Sequence, residues 1–271
     1  MSSELVTSAS NPKVKRLLAL QKDSSLRRET GLFVVEGRRE LDHCTAAGFE
    51  IDTLFVCPEL CGKISPLGRD DKGGAGKSKA PRVVEVPAAL YERIAMRGST
   101  EGIIAEVRAS NTSLDELKLP DNPLVIVLES VEKPGNLGAV LRSADAAGAD
   151  AVLVCDPLTD LWNPNLIRAS IGAAFTVPTV ACSSTEAIKW LKERNIQILT
   201  AQLQDSELYY RTDMRRGTAL VMGTESTGLS QQWREAATAH IRIPMLGRLD
   251  SLNVSVSAAI LLFEAVRQRQ A

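Results

Sequence analysis

The chain reads as an α/β protein in two parts, the second built on a largely parallel sheet flanked by helices. Beyond residue 123, runs such as Leu124-Val125-Ile126-Val127-Leu128 and Ala151-Val152-Leu153-Val154 are apolar without alternation, as strands buried on both faces are, and they alternate with helix-like patterns. Three segments follow apolar runs and lead into helix-like patterns: Lys133 to Ser143, Val221 to Ser230, and Ile243-Pro244-Met245 running on to Leu249 through Ser257. Such junctions lie at the carboxyl ends of strands, where open α/β sheets hold their ligands.

The elements follow in order. Leu32 to Glu36 reads as a strand, Arg38 to Ala47 as a helix closed by Gly48, and Thr53 to Val56 as a second strand. Gly62 to Arg82 contains five glycines, six basic residues and no aromatics, a composition that cannot pack, so residues 62–82 are expected to form a flexible insert. A strand at Arg82 to Val86, a helix at Ala88 to Ala95 and a strand at Gly102 to Val107 complete a small α/β unit. Ser110 to Pro123 is polar and ends in Pro120-Asp121-Asn122-Pro123, which reads as a linker with helical character at Leu114 to Leu117. Beyond it come a strand at Leu124 to Leu128, a helix at Leu137 to Ala147, and a strand at Ala151 to Val154. Helices at Pro164 to Ile171 and Thr185 to Arg194 precede strands at Ile196 to Thr200, Thr218 to Met222 and Ala239 to Ile243. A helix from Ser251 to about Arg269 closes the chain. The expected division is 1–109, a linker at 110–122, and 123–271.

With 271 residues, 44 % hydrophobic and 24 % charged, the chain can bury one large core or two modest ones. Met1 to Ser10 lacks a basic start followed by an apolar stretch, and no segment approaches the roughly 18 apolar residues that span a bilayer. The expectation is a cytoplasmic enzyme or binding protein with no membrane partner. Five cysteines are an odd set, expected to be reduced. Cys57-x-x-x-Cys61 near His43-Cys44 sketches a zinc site, but no second spaced pair accompanies it, and no metal is expected. A net charge of −1 argues against coating nucleic acid over the whole surface. The charge is nonetheless polarised: Asn11 to Glu40 carries eight Lys/Arg against four acids, so this stretch is +4 and the rest −5. Lys13, Lys15, Arg38 and Arg39 are therefore candidate RNA contacts, although a solvated helix face gives the same count.

In chemical terms, Pro134-Gly135-Asn136-Leu137-Gly138 forces a tight turn into a helix. Asn136 is able to cap it and Gly135 to take unusual dihedrals, with Arg142 and Ser143 one to two turns further on. A capped helix with a salt-bridging arginine is the plain alternative. Gly223-Thr224-Glu225-Ser226-Thr227-Gly228 is a glycine-flanked turn with one carboxylate; it is not G-x-G-x-x-G, and alone it is weak evidence for a nucleotide. Ser251, Asn253, Ser255 and Ser257 place small polar groups at every second position before Ala258 to Phe263. A helix cap needs only one of them, and the excess favours a ligand.

Together the segments resemble the three motifs of the SpoU (TrmH-like) group of SPOUT RNA methyltransferases, which transfer a methyl group from S-adenosylmethionine to a ribose 2′-hydroxyl. The motif order N-x-G-A-x-x-R-S, G-x-E-x-x-G and I-P-M…S-L-N-V-S-V-S-A-A-I is specific jointly, and the likeness covers nearly the whole chain. Asn11 to Lys15 through Phe33 to Gly37 also resembles an L30-like (L30e-like) substrate-binding domain. The resemblance implies a C-terminal SPOUT α/β knot, an exception to the general absence of knots, and a homodimer. It implies S-adenosylmethionine as cofactor, its adenosine held by backbone groups around Gly223, Ile243, Met245 and Leu252 with Thr200 nearby; Gly223 lets the chain approach closely. Asn136, Arg142, Glu225, Ser251 and Asn253 match the active-site positions. A ribose hydroxyl is a poor nucleophile, and a guanidinium stays protonated. Arg142 is therefore expected to orient the adjacent phosphate and stabilise the oxyanion, held by Glu225 and Asn253, with Asn136 and Ser251 shaping the site. Arg168 is an expected RNA contact. The resemblance points to structured RNA, 23S ribosomal RNA ahead of transfer RNA. The rivals are a non-catalytic RNA-binding protein, against which intact Arg142, Glu225 and Asn253 speak, and a base methylase, against which Ser251 to Ser257 speaks. Glu132-Lys133 and the long insert depart from the family pattern.

Overall fold

The computed structural model describes residues 3–61, 80–96, 101–110, 112–224, 227–248 and 251–270. The chain divides into two compact units, one of Met1–Ser110 with Trp162–Arg168 and one of Asn111–Leu161 with Ala169–Ala271.

The first unit runs β1 (Ser3–Leu5), α1 (Pro12–Lys22), α2 (Ser24–Thr30), β2 (Leu32–Glu36), α3 (Arg38–Ala46), β3 (Ile51–Val56), α4 (Pro58–Cys61), β4 (Arg82–Glu85), α5 (Ala88–Ile94) and β5 (Ile103–Arg108). Its sheet has the order β1-β4-β3-β5-β2; β5 is antiparallel to both its neighbours and the other pairs are parallel. Asn11 starts α1 by accepting from the Lys13 amide, and Asp23 ends α1 and caps α2. Helix α1 buries only Val14, Leu17 and Leu20. These pack with Val34, Phe55, Val84, Tyr91, Ile94 and Ile104 into one core. Of the insert expected at 62–82, residues 62–79 lie outside the described residues, and Ala80 and Pro81 lead into β4.

A charged cluster crosses four elements of this unit. Asp52 on β3 meets Arg82 on β4, Arg108 on β5 and Arg16 on α1, and Arg16 also pairs with Glu106, which is fully buried. Burial pushes Asp52 up, but hydrogen bonds from Arg82 and Thr53, with the charges of Arg82 and Arg108, outweigh it and hold the carboxyl below its usual range. At Glu106 burial wins over Arg16, and the carboxyl is raised.

The second unit opens with a single turn at Leu114–Glu116, closed by a Ser113/Glu116 capping box. There follow β6 (Leu124–Glu129), α6 (Pro134–Ala147), β7 (Ala151–Cys155), α7 (Pro164–Ser170), which belongs to the first unit as far as Arg168, then α8 (Ala173–Thr176), β8 (Thr179–Cys182), α9 (Ser184–Glu193), β9 (Gln197–Ala201), β10 (Glu207–Leu208), β11 (Thr218–Met222), α10 (Gln231–Ala236), β12 (Ala239–Arg242) and α11 (Val254–Gln270). The sheet has the order β10-β12-β9-β11-β6-β7-β8, and every pair is parallel. Strands β6, β7 and β11 are buried along their whole length, as unalternating apolar runs require. Trp190 and Leu191 of α9 and Trp233 of α10 join Val125, Val127, Leu153 and Val221 in a core that Leu114, Leu117 and Leu119 also cover. Arg269, near the end of α11, donates to the carbonyls of Asn122, Pro123, Met214 and Arg216 and so ties the closing helix to the strand entrances.

No helix among the described residues is long and apolar enough to cross a membrane. Among the same residues no group of three His, Cys, Asp or Glu is placed to hold a metal ion.

Candidate active site

Strand β11 ends at Met222, and the chain turns back on itself between Gly223 and Gly228. Thr224 and Gly228 exchange both backbone hydrogen bonds, and the Thr224 hydroxyl accepts from the Thr227 amide. Gly228 takes a φ of 69°, a left-handed conformation that favours glycine. A Cβ on Gly223 would lie 2.2 Å from the Gly228 carbonyl oxygen and 2.6 Å from the Leu229 nitrogen. The close approach at Gly223 is therefore first of all between two stretches of backbone. Glu225, expected in the active site, lies outside the described residues. The far end of the turn is fixed from β6: the buried Glu129 carboxylate accepts from the Ser230 amide at 2.8 Å. Glu129 also lies 3.4 Å from the Ser184 hydroxyl, which accepts from the Trp233 indole N–H at 2.9 Å. Sequence reading passed over Glu129 because an acid at a strand end carries no signal of its partner 101 residues away.

The first motif differs from its sequence reading. Helix α6 begins at Pro134, with Lys133 as its cap residue and no side-chain cap, so Gly135 is helical and Asn136 is already inside the first turn. Proline at the first helical position explains this start: its φ suits a helix and its missing N–H would be unpaired there anyway. From there the Asn136 Oδ1 accepts from the Asn253 side-chain amide at 3.2 Å. Asn253 starts α11, its Oδ1 accepting from the Ser255 amide at 3.0 Å and from the Ser255 hydroxyl at 2.6 Å. Asn253 is thus engaged with Asn136 and Ser255 rather than holding Arg142. Arg142 stands exposed further along α6 and makes no hydrogen bond or ion pair among the described residues.

A cleft of about 370 Å³ opens at the carboxyl ends of β9, β11 and β12, and Gly223, Ile243, Met245, Ser251 and Leu252 all line it. Thr200 does not. It is fully buried, and its hydroxyl is 2.6 Å from His240 Nδ1, its register partner on β12. The cleft wall begins one residue later, at Ala201 to Gln204. Gln202 Oε1, on this wall, is a buried acceptor with no hydrogen bond, while its amide nitrogen donates to the Gln204 carbonyl. Arg234 of α10 closes the side next to Gly228. Neither residue announces itself in sequence, since a polar loop and a short polar helix look alike with or without a ligand. A second recess, about 130 Å³, holds Glu132, Lys133 and Asn136 and shares Gly223, Thr224 and Val254 with the cleft. A cleft of mixed apolar and polar residues with an unsatisfied acceptor fits a nucleoside, whose hydroxyls and amine donate. The recess brings Asn136 next to this cleft.

The basic N-terminal stretch is less free than its composition suggests. Lys13 pairs with Glu4, Arg39 with Glu40 at 3.0 Å, and Arg38 lies 3.9 Å from Asp42. Lys15 is exposed without such a partner among the described residues, and Arg168 is exposed with one bond to Asn165.

Residues 123–263 match the SpoU rRNA Methylase family, and residues 11–105 match the MRM3-like substrate binding domain. The 23S rRNA (guanosine-2'-O-)-methyltransferase RlmB of Bordetella pertussis is 39% identical over 194 residues, which cover 70% of this chain and 79% of that protein. A crystal structure of an RNA 2'-O ribose methyltransferase superposes with a TM-score of 0.81 at 38% identity, covering 98% of this chain and 100% of the other. An AdoMet-bound rRNA methyltransferase from Sinorhizobium meliloti superposes with a TM-score of 0.86 at 29% identity, covering 98% of each chain. The chain belongs to the SpoU rRNA methylase family.

Proposed function

We propose that the protein methylates a ribose 2′-hydroxyl of 23S ribosomal RNA, at a guanosine, using S-adenosylmethionine. The observation that carries this is the convergence of Gly223, Ile243, Met245, Ser251 and Leu252 on one cleft, with a recess holding Asn136 beside it. When bound, the cofactor supplies an electrophilic methyl group. The protein's part is to position and to stabilise charge. Glu129 holds the turn after β11 in place, and the Asn253–Asn136 bond fixes the starts of α11 and α6 against each other. The Arg142 guanidinium orients the substrate phosphate and stabilises the negative charge that develops on the ribose oxygen. Glu225 and Ser251 complete the site.

The unit that begins the chain holds the RNA, through Lys15, Arg168 and those of Lys13, Arg38 and Arg39 that RNA draws from their acidic neighbours. The catalytic unit carries the family's knot and works as a homodimer. Val256 and Phe263 of α11 are 47% and 49% exposed and lie with half-buried Ile260 on one face of the helix, an apolar stripe suited to a second copy. Ribosomal RNA as substrate implies a cytoplasmic location.

The test uses labelled methyl transfer to 23S ribosomal RNA. Arg142→Ala should lower turnover by about 10²-fold or more with cofactor affinity little changed, because the guanidinium acts on the transition state. Arg142→Lys should not rescue it, since an ammonium lacks the planar fork. Wild-type turnover in Arg142→Ala contradicts the assigned role.

A further inference from the structure

Two arginines, Arg234 and Arg242, line the cofactor cleft, and no Asp or Glu is among its described lining residues. Arg242 directs a terminal nitrogen to the Ser206 hydroxyl at 3.4 Å. Arg234 is arranged differently. Its Nε donates to the Leu229 carbonyl at 3.2 Å, and this is the only hydrogen bond of its side chain among the described residues. The bond fixes the plane of the guanidinium and leaves both terminal nitrogens unpaired, one of them 3.9 Å from the position a Cβ on Gly228 would take. Arg234 is half-buried and has no ion-pair partner among the described residues, so its charge is partly removed from water. An arginine fork in that state calls for a planar anion that accepts two parallel hydrogen bonds.

S-adenosylmethionine has one anionic group, the carboxylate of its methionyl part. We infer that Arg234 binds this carboxylate, an inference that rests on the cofactor reading above. Arg234 then fixes the amino-acid end of the cofactor, while Gly223, Ile243, Met245 and Leu252 enclose its nucleoside. This residue is a binding residue and takes no part in methyl transfer itself. Its place in the cleft, beside the backbone of the turn at Gly228, favours the small carboxylate over an RNA phosphate, which is bulkier and carried on a polymer.

The experiment compares two ligands on the full chain by calorimetry. S-adenosylhomocysteine carries the carboxylate; 5′-methylthioadenosine has the same nucleoside and thioether but no amino acid. Arg234→Gln should weaken S-adenosylhomocysteine by about 10–100-fold, the range of a charge-assisted hydrogen bond, and change 5′-methylthioadenosine by less than about 3-fold. Arg234→Lys keeps the charge and should retain part of the preference, which guards against a variant that merely unfolds. Equal losses for both ligands in Arg234→Gln, or no loss for either, overturn the proposal. Unchanged S-adenosylhomocysteine binding with weakened binding of a ribosomal RNA fragment also overturns it and assigns the guanidinium to a substrate phosphate. A wild-type protein that binds 5′-methylthioadenosine and S-adenosylhomocysteine equally overturns the carboxylate site alone, whereas one that binds neither overturns the cofactor reading itself.

Discussion

Gly223 has a structural role that its sequence position does not state. Its position after an apolar strand suggests a place where a ligand comes close to the backbone. The structure adds that the Gly228 carbonyl already occupies the space a Cβ would need, at 2.2 Å. Even Gly223→Ala must therefore displace the turn, at a cost of about 1–3 kcal/mol, the usual range for overpacking. Calorimetry should show S-adenosylhomocysteine affinity reduced by at least about 10-fold in Gly223→Ala; wild-type affinity would mean the turn is not part of the cofactor wall. The junctions that hold Gly223, Ile243 and Leu252 were legible as strands followed by polar or glycine-rich turns, but the individual residues came from likeness to a family; the structure brings Gly223, Ile243, Met245 and Leu252 to one cleft. The Asn136–Asn253 bond was not legible, since its partners are 117 residues apart and each looks like an ordinary helix cap. Arg234 was hidden for a similar reason: in Ser230 to Ala236 it reads as one more surface charge.

Among the elements, the long buried strands were the most legible, because an unalternating apolar run has few other uses. Helices α1 and α2 were passed over, being short, rich in Lys and Arg, and apolar at only a few positions. Strands β8 and β10, of four and two residues, are too short for any periodicity to show. What holds α1 to β3, β4 and β5 is partly electrostatic, through Asp52, Arg16, Arg82 and Arg108. The folded state keeps Asp52 ionised below its usual range. Its contribution is therefore full above the unfolded carboxyl's pKa, about 4, and is lost as pH falls through the lower folded value. Asp52→Asn should destabilise the protein by roughly 1.5–3 kcal/mol at pH 7, the range for hydrogen bonds to a charged group. In denaturant titrations the difference from wild type should shrink steadily below pH 4; a difference that stays constant into strong acid contradicts the assignment.

On the scale of the whole molecule, the sheet order β10-β12-β9-β11-β6-β7-β8 brings the three motifs together. No local pattern states that β11 lies beside β6, so the convergence of motifs separated by about a hundred residues became visible only in the fold or through likeness to a family. The same order explains the chemistry: strand ends from distant parts of the chain supply one cleft and one adjoining recess. Ribose methylation of ribosomal RNA is the central claim, and mapping 2′-O-methyl groups in total RNA from cells with and without the gene tests it most directly. The account predicts that one guanosine of 23S ribosomal RNA loses its ribose methyl group when the gene is removed and regains it with the wild-type chain but not with Arg142→Ala. An unchanged ribosomal RNA profile, or a loss confined to transfer RNA, would contradict it.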